Sequence, residues 1–432
     1  MNMLRKSILI ATVAVAACNV VNEPLTFYES EVTDFGPNYV SMSMAVDIAN
    51  NYAKNKRITI PTRGDAVQVK NTFTVRGTDD SPILHAVNFD GGGFTLVSSD
   101  NRLMPVLAYS CEGEFSFSNY SSPLGLRIWV ESVKNMIEDA ESKGEELDPG
   151  IAAMWQKFSS EPRSNLRTRS LTPEGWPPPE ADTLVGPFIN DSWHQDTPYN
   201  DSLDIADHYI YNSGSGCFSG SYKPVVGCLP LAIARVMRYH QYPPSFSWSS
   251  MPDTTPQTTV TASFIADVHY SVKSYCQGHY SFLYEFRDGS RETTVSELFP
   301  IGAFLQSQYG YASGEDLVFS AGYYEDMRRD MIDHELPCIL YGRDADSGNA
   351  HFWICDGYSY SCVYLNTPSD PDEEQEYLIS TYLHHRWGQQ NTSYDGWFWA
   401  TNYNYNGLSF RYDMRLARHI SPIDYWPDVL LI

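Results

Sequence analysis

A cysteine attacks as its thiolate, so the thiols to weigh first are those whose place in the chain would lower their pKa. Cys228 stands out, in Val226-Gly227-Cys228-Leu229-Pro230-Leu231-Ala232. Gly227 permits a tight approach of the backbone, Leu229 to His240 has helical spacing, and Pro230 fits a first turn, where its missing N–H is not needed. The pattern predicts Cys228 at the cap of a helix, on the positive end that favours a thiolate. A thiolate needs a base, and His351 opens the apolar run His351-Phe352-Trp353-Ile354-Cys355, from which an imidazole could project off a rigid sheet edge. Gln195, in Trp193-His194-Gln195 and followed by Pro198-Tyr199-Asn200, adds a side-chain amide able to donate to an oxyanion. Taken singly, each is more often a packing or surface residue. Together they offer a nucleophile, a base and an oxyanion donor.

The elements that must position these groups fall into two regions. In the first, Ser41 to Tyr52 has a helical stripe of Met42, Ala45, Val46, Ile48 and Ala49. Ile83 to Phe89, Phe94 to Ser98 and Val106 to Ser110 read as an antiparallel meander turning at Asp90-Gly91-Gly92-Gly93, and Leu124 to Ala140 reads as a helix. This small α+β unit ends near Trp155. Ser159 to Ala181 contains five prolines and Arg163, Arg167 and Arg169, and is too poor in apolar residues to bury itself; it is expected to be an exposed linker open to proteases. In the second region Tyr323 to Ile332 reads as a helix. Cys338 to Tyr341, His351 to Cys355 and Cys362 to Leu365 read as strands, with Asp356-Gly357 opening a turn between the last two.

Composition narrows the partners. The 432 residues are 42% hydrophobic and 19% charged, which excludes wholesale disorder. A net charge of -24 argues against nucleic acid, whose phosphates need a clustered basic face, and equally against an acidic lipid surface. The first 17 residues read as a secretory signal: Arg5 and Lys6 precede the apolar run Ser7 to Ala17, which is too short to span a bilayer. Val15-Ala16-Ala17-Cys18 is similar to the bacterial lipobox, so Cys18 is the expected lipidation site and that lipid the only expected membrane contact. Of the eight cysteines, setting Cys18 aside leaves Cys111, Cys217, Cys228, Cys276, Cys338, Cys355 and Cys362; seven cannot all pair, and in an exported protein the leftover thiol is a candidate reactive group. With neither a CxxC pair nor a zinc-spaced Cys/His cluster, and with His384 and His385 pointing apart on any regular element, no metal and no cofactor are expected.

The combination resembles the streptopain family, the C10-type papain-like cysteine peptidases. Its members share a W-x-Q-x-x-P-Y-N segment, a Gly-Cys helix start ending in a Met-x-Tyr-His-x-Tyr-Pro stretch, a His-to-Asp-Gly strand and a late Trp-Gly loop. These correspond here to Trp193 to Asn200, Gly227-Cys228 through Met237-Arg238-Tyr239-His240-Gln241-Tyr242-Pro243, His351 to Gly357, and Trp387-Gly388. Gly93 to Asp100 leading into Pro105 to Tyr109 is similar to the family's propeptide.

The resemblance implies an α+β fold: a papain-like unit, with a helical half carrying the Cys at a helix N-terminus and an antiparallel-sheet half carrying the His, preceded by a small α+β propeptide domain. The boundaries that follow are a lipoprotein signal at 1–17, an inhibitory propeptide-like domain at 18–156, a linker with a processing site at 157–183, and the peptidase domain at 184–432. The implied roles are Cys228 as nucleophile, His351 as general base and acid, Gln195 as oxyanion donor and Trp387 as the indole orienting the imidazole. The expected activity is that of an endopeptidase made as a zymogen and exported to a bacterial outer membrane, acting on proteins or peptides, with its own propeptide as inhibitor. A catalytically impaired lipid-anchored binding or inhibitory module, or another thiol acyl-transfer enzyme such as an amidase or transglutaminase-like protein, are the other readings of the same scaffold. The sequence departs from the family at Arg386, where an Asn commonly precedes the Trp, and at Gln389-Gln390-Asn391 in place of Trp-Gly-Gly. A guanidinium beside His351 disfavours the imidazolium unless a carboxylate meets it.

Overall fold

The first region folds around a glycine turn. Gly91, Gly92 and Gly93 all have φ near +90°, which L side chains avoid, and they reverse the chain between two strands of the meander. The computed structural model describes residues 35–56, 68–118, 122–159, 183–212, 216–254, 258–287, 290–318, 323–343, 350–364, 377–388, 394–400 and 414–423. The expected signal, Cys18 and residues 160–182 of the linker lie outside them.

Helix α1 (Met42–Lys56) buries Ala45, Ile48, Ala49 and Tyr52. It packs on the antiparallel strands β1 (Val69–Arg76), β2 (Pro82–Phe89), β3 (Phe94–Ser98) and β4 (Val106–Ser110). Helix α2 (Leu124–Lys143) buries Leu126, Ile128, Trp129 and Val133 and stops at Gly144, whose left-handed backbone (φ 62°) lets its N–H reach Ala140 and Glu141. Helix α3 (Pro149–Ser159) completes the region. The expected meander and both helices are present; β1 and α3 are additions.

The second region begins with β5 (Thr183–Val185) and the hairpin β6 (Ala206–Asn212) and β7 (Gly216–Tyr222). Helices α4 (Cys228–His240) and α5 (Thr259–Cys276), the hairpin β8 (Phe282–Arg287) and β9 (Ser290–Val295), and helix α6 (Ile301–Tyr309) follow. Strand β10 (Tyr311–Val318), helix α7 (Tyr323–His334) and strands β11 (Cys338–Arg343), β12 (Ala350–Tyr364), β13 (Tyr377–Arg386), β14 (Gly396–Trp399) and β15 (Arg415–Pro422) complete it.

One sheet joins the two regions, within the compact unit formed by residues 38–432. Its strands run β1-β2-β3-β4-β14-β13-β12-β11-β15-β10, with β5 also paired to β12. The joint is β4 against β14, where Ala108 faces Phe398 and Tyr109 faces Trp397, whose rings stack. The Tyr382 hydroxyl reinforces it by donating to the carbonyl of Val106 at 2.9 Å. One face of the sheet carries Leu340, Trp353 and Cys355 into the same apolar core as α1, α2 and α3; the other carries Ile339, Tyr341, Phe352 and Ile354 toward α4, α5 and α6. Among the described residues no helix is long and apolar enough to cross a membrane.

The expected turn at Asp356-Gly357 is absent. Strand β12 runs straight through it, because Asp356 is the extra residue of a β-bulge: Cys355 pairs with His385 and Gly357 with His384, leaving Asp356 without a cross-strand partner. An Asp-Gly pair is a hairpin signal only where the chain reverses, and here the reversal comes beyond Tyr364.

Candidate active site

Helix α4 starts where it does because Gly227 has φ +94°, and a Cβ there would lie 3.1 Å from the Thr293 side chain. Gly227, one residue earlier than expected, is thus the cap, and Cys228 is the first helical residue, partly exposed and packed on the helical core. The approach to it is held on three sides. Val226 N–H donates to Gln195 O at 2.9 Å, Thr293 Oγ1 donates to Val225 O at 2.8 Å, and His269 Nδ1 lies 2.7 Å from Val226 O. A carbonyl can only accept, so His269 carries its proton on Nδ1, and its Nε2 accepts from the Tyr284 hydroxyl at 2.6 Å. Burial keeps this ring neutral, its pKa lowered to about 4. Gln195 and Cys228 are therefore brought together through the backbone of Val226.

His351 sits on β12 on the opposite sheet face from Phe352. It is 5% exposed, and its ring lies parallel to that of Trp353. Its Nε2 is 2.8 Å from the carbonyl oxygen of Trp387. That acceptor fixes the proton on Nε2 and leaves the Nδ1 lone pair as the basic nitrogen. Burial pushes the pKa of His351 down to about 4, the Trp387 carbonyl opposes this, and the nearby Arg127 charge adds to it. Helix α2 of the first region lies directly above: a Cβ on Gly125 would come 2.5 Å from the Trp387 ring and 3.2 Å from Cδ2 of His351. His351 and Trp387 thus meet through the Trp387 main-chain carbonyl, where the expectation was orientation by its indole; the ring lying parallel to His351 is that of Trp353.

Arg386 does not turn its charge on His351. Its Nε donates to Asp356 Oδ2 at 2.8 Å and its Nη1 lies 3.6 Å from Asp395 Oδ2. Asp356, fully buried, also accepts from Ile189 N–H at 3.0 Å and lies 2.6 Å from His384 Nδ1. Burial works against its ionisation, but the charges of Arg386 and His384 hold its carboxyl well below the usual carboxylate range. A second buried pair lies close by: Arg235, on α4, donates to Asp191 at 2.7 Å, and Asp191 accepts from Trp193 N–H at 3.0 Å. His384 and His385 point apart, the second accepting from the Trp353 indole at 3.2 Å. Among the described residues no group of three or more His, Cys, Asp or Glu side chains is arranged to hold a metal ion.

Sequence reasoning missed Asp356, Asp395, Asp191, Arg235, His269 and Gly125. Only Arg235 left a signal, as a charge on the apolar stripe of α4 seven residues after Cys228.

A thiol at the start of a buried helix, set against an antiparallel sheet that carries an imidazole, is the arrangement of the papain-like cysteine peptidases, here with a second α+β layer over the imidazole. Residues 193–398 match the Peptidase C10 family and residues 37–137 match the Spi protease inhibitor family. Residues 193–398 thus form a Peptidase C10 region, with a Spi-type propeptide domain before it. It is 21% identical over 356 residues to the thiol protease/hemagglutinin PrtT of Porphyromonas gingivalis, covering 74% of this chain and 36% of that protein. With streptopain of Streptococcus pyogenes it is 21% identical over 215 residues, 50% of this chain and 44% of the relative. The chain thus spans less than half the length of these relatives. Among solved structures, a fragment of Prevotella intermedia prointerpain A superposes with a TM-score of 0.53 at 17% identity, covering 82% of this chain and 99% of that one.

Proposed function

We propose that this chain is a cysteine endopeptidase made as a zymogen, with Cys228 as nucleophile and His351 as general base and acid. The thiolate, favoured by the start of α4, attacks a peptide carbonyl. The developing oxyanion is met by the Gln195 amide and by the N–H of Cys228, which as a first-turn group has no acceptor within its own helix. His351 then gives its proton to the leaving amine, and water releases the thioester. The observation that carries this reading is the tautomer imposed on His351, since Nε2–H on the Trp387 carbonyl leaves Nδ1 as the base.

Latency follows from what covers that base. With α2 packed at Gly125 and His351 held neutral, the imidazolium partner of a thiolate is withheld until the first region leaves. We take release to occur by cleavage between Ser159 and Ala181, and export by the Ser7 to Ala17 segment with lipid on Cys18, so that cleavage would free a soluble peptidase. Purified wild-type chain is expected to convert to two fragments on incubation, while Cys228→Ala stays whole. Equal cutting of Cys228→Ala in pure form would defeat self-processing, and incorporation of labelled palmitate that survives Cys18→Ala would defeat the lipid site.

A further inference from the structure

The ion cluster between β12, β13 and α4 lies on no path of the reaction just described, and its chemistry needs a separate account. Three carboxylates, Asp356, Asp395 and Asp191, face two guanidiniums, Arg386 and Arg235, with His384 beside Asp356, and all are largely withdrawn from water. Burying charge of this kind costs about as much as the pairing returns, so stability is a poor reason for it. Direction is a better one.

Trp387 is held at every polar group it has. Its main-chain N–H donates to Asp395 Oδ1 at 3.0 Å, its indole N–H donates to Tyr394 O at 2.9 Å, and its carbonyl meets His351 Nε2 at 2.8 Å. Asp395 is steered in turn by Arg386, whose other branch grips Asp356 on the strand of His351. The bulge makes that grip possible, since the extra residue turns a side chain that regular pairing would have aimed elsewhere. Asp356 Oδ2 further binds Ile189 N–H, on the segment that leads to Gln195.

We propose that Arg386, Asp356 and Asp395 are positioning residues for His351, the cluster fixing the Trp387 peptide so that its main-chain carbonyl orients the imidazole. The proposal rests on the peptidase reading above. It gives Arg386, at the position where the family commonly has Asn, a role through Trp387 in place of direct contact with the ring.

The test uses linker-cleaved protein, measuring kcat and KM on a peptide substrate and the iodoacetamide reactivity of Cys228 against pH. Asp395→Ala should lower kcat between ~10-fold and ~100-fold with little change in KM, and move the alkylation profile toward that of an ordinary thiol. Asp395→Asn keeps an oxygen for the Trp387 N–H and should recover most of the loss. Arg386→Gln should follow Asp395→Ala; if it fails to fold, the Asp395 pair decides. Lower melting temperatures with wild-type kcat and alkylation profile would mean that the cluster only holds the fold, and would overturn the proposal. If wild-type protein cuts no peptide, the peptidase reading is what fails, and the alkylation profile alone judges the cluster.

Discussion

The two halves of the site are built by different physics. Around Cys228 the supports are neutral and come from within the second region: a glycine cap, a threonine hydroxyl, a neutral imidazole and one main-chain bond from Val226 to Gln195. Around His351 they include charged groups, and the ring is covered by a helix from the other region. The nucleophile half is therefore complete within its own region. The base half depends on contacts that processing can remove, which is where a latent enzyme would place its control.

The largest expected effect falls on the base half. His351→Ala should cut peptidase activity of the released domain by ~100-fold or more, the usual range for a general base. A residual rate near wild type would show that Cys228 does not use this ring. Next comes the ion cluster, where Arg235→Ala takes from the buried Asp191 carboxylate its directly bonded guanidinium and should cost about 3–5 kcal/mol in a urea titration. If His269→Leu on the neutral side costs as much, the contrast between the halves is lost.

Gly125→Ala probes the cover. Its Cβ cannot fit 2.5 Å from the Trp387 ring, so α2 must lift, at about 1–3 kcal/mol. The intact precursor should then label faster at Cys228, while the released domain, which lacks α2, is untouched. A separate expectation concerns pH. His351, His269 and His385 have folded pKa values near 4, 4 and 3, all below the usual 6.5. The unfolded chain therefore binds protons first, and stability present above about pH 6.5 should decline toward pH 4. Asp191 and Asp395, whose pKa values burial raises, temper the loss at the acid end. A urea midpoint unchanged from pH 7 to 4.5 would remove the assignment of neutral rings.

Local pattern was legible where local rules govern. The meander β2 to β4 and helices α1, α2 and α4 follow from apolar periodicity, a glycine turn and a proline in a first turn. Cys228, His351 and Gln195 stood out as candidates by residue type and setting, and Trp387 only through the family resemblance. Asp356 was not, because a bulge obeys cross-strand registration that no local window contains, and its Asp-Gly pair mimics a turn. Asp395 and Asp191 look like loop residues until their guanidinium partners arrive from far along the chain. Gly125 needs α2 to be seated on Trp387 before its missing side chain has a meaning.

The central claim is that the first region withholds His351 from Cys228. Iodoacetamide labelling of Cys228 at pH 6, in the intact Cys111→Ser chain and in the same chain after linker cleavage and removal of the first region, tests it most directly. At that pH an ordinary thiol with pKa ~8.5 is almost wholly protonated, so rapid labelling reports a thiolate paired with imidazolium. Slow labelling of the intact chain is expected, with labelling at least ~10-fold faster after release and loss of that gain in His351→Ala. Equal rates before and after release, or a gain that survives His351→Ala, would contradict it.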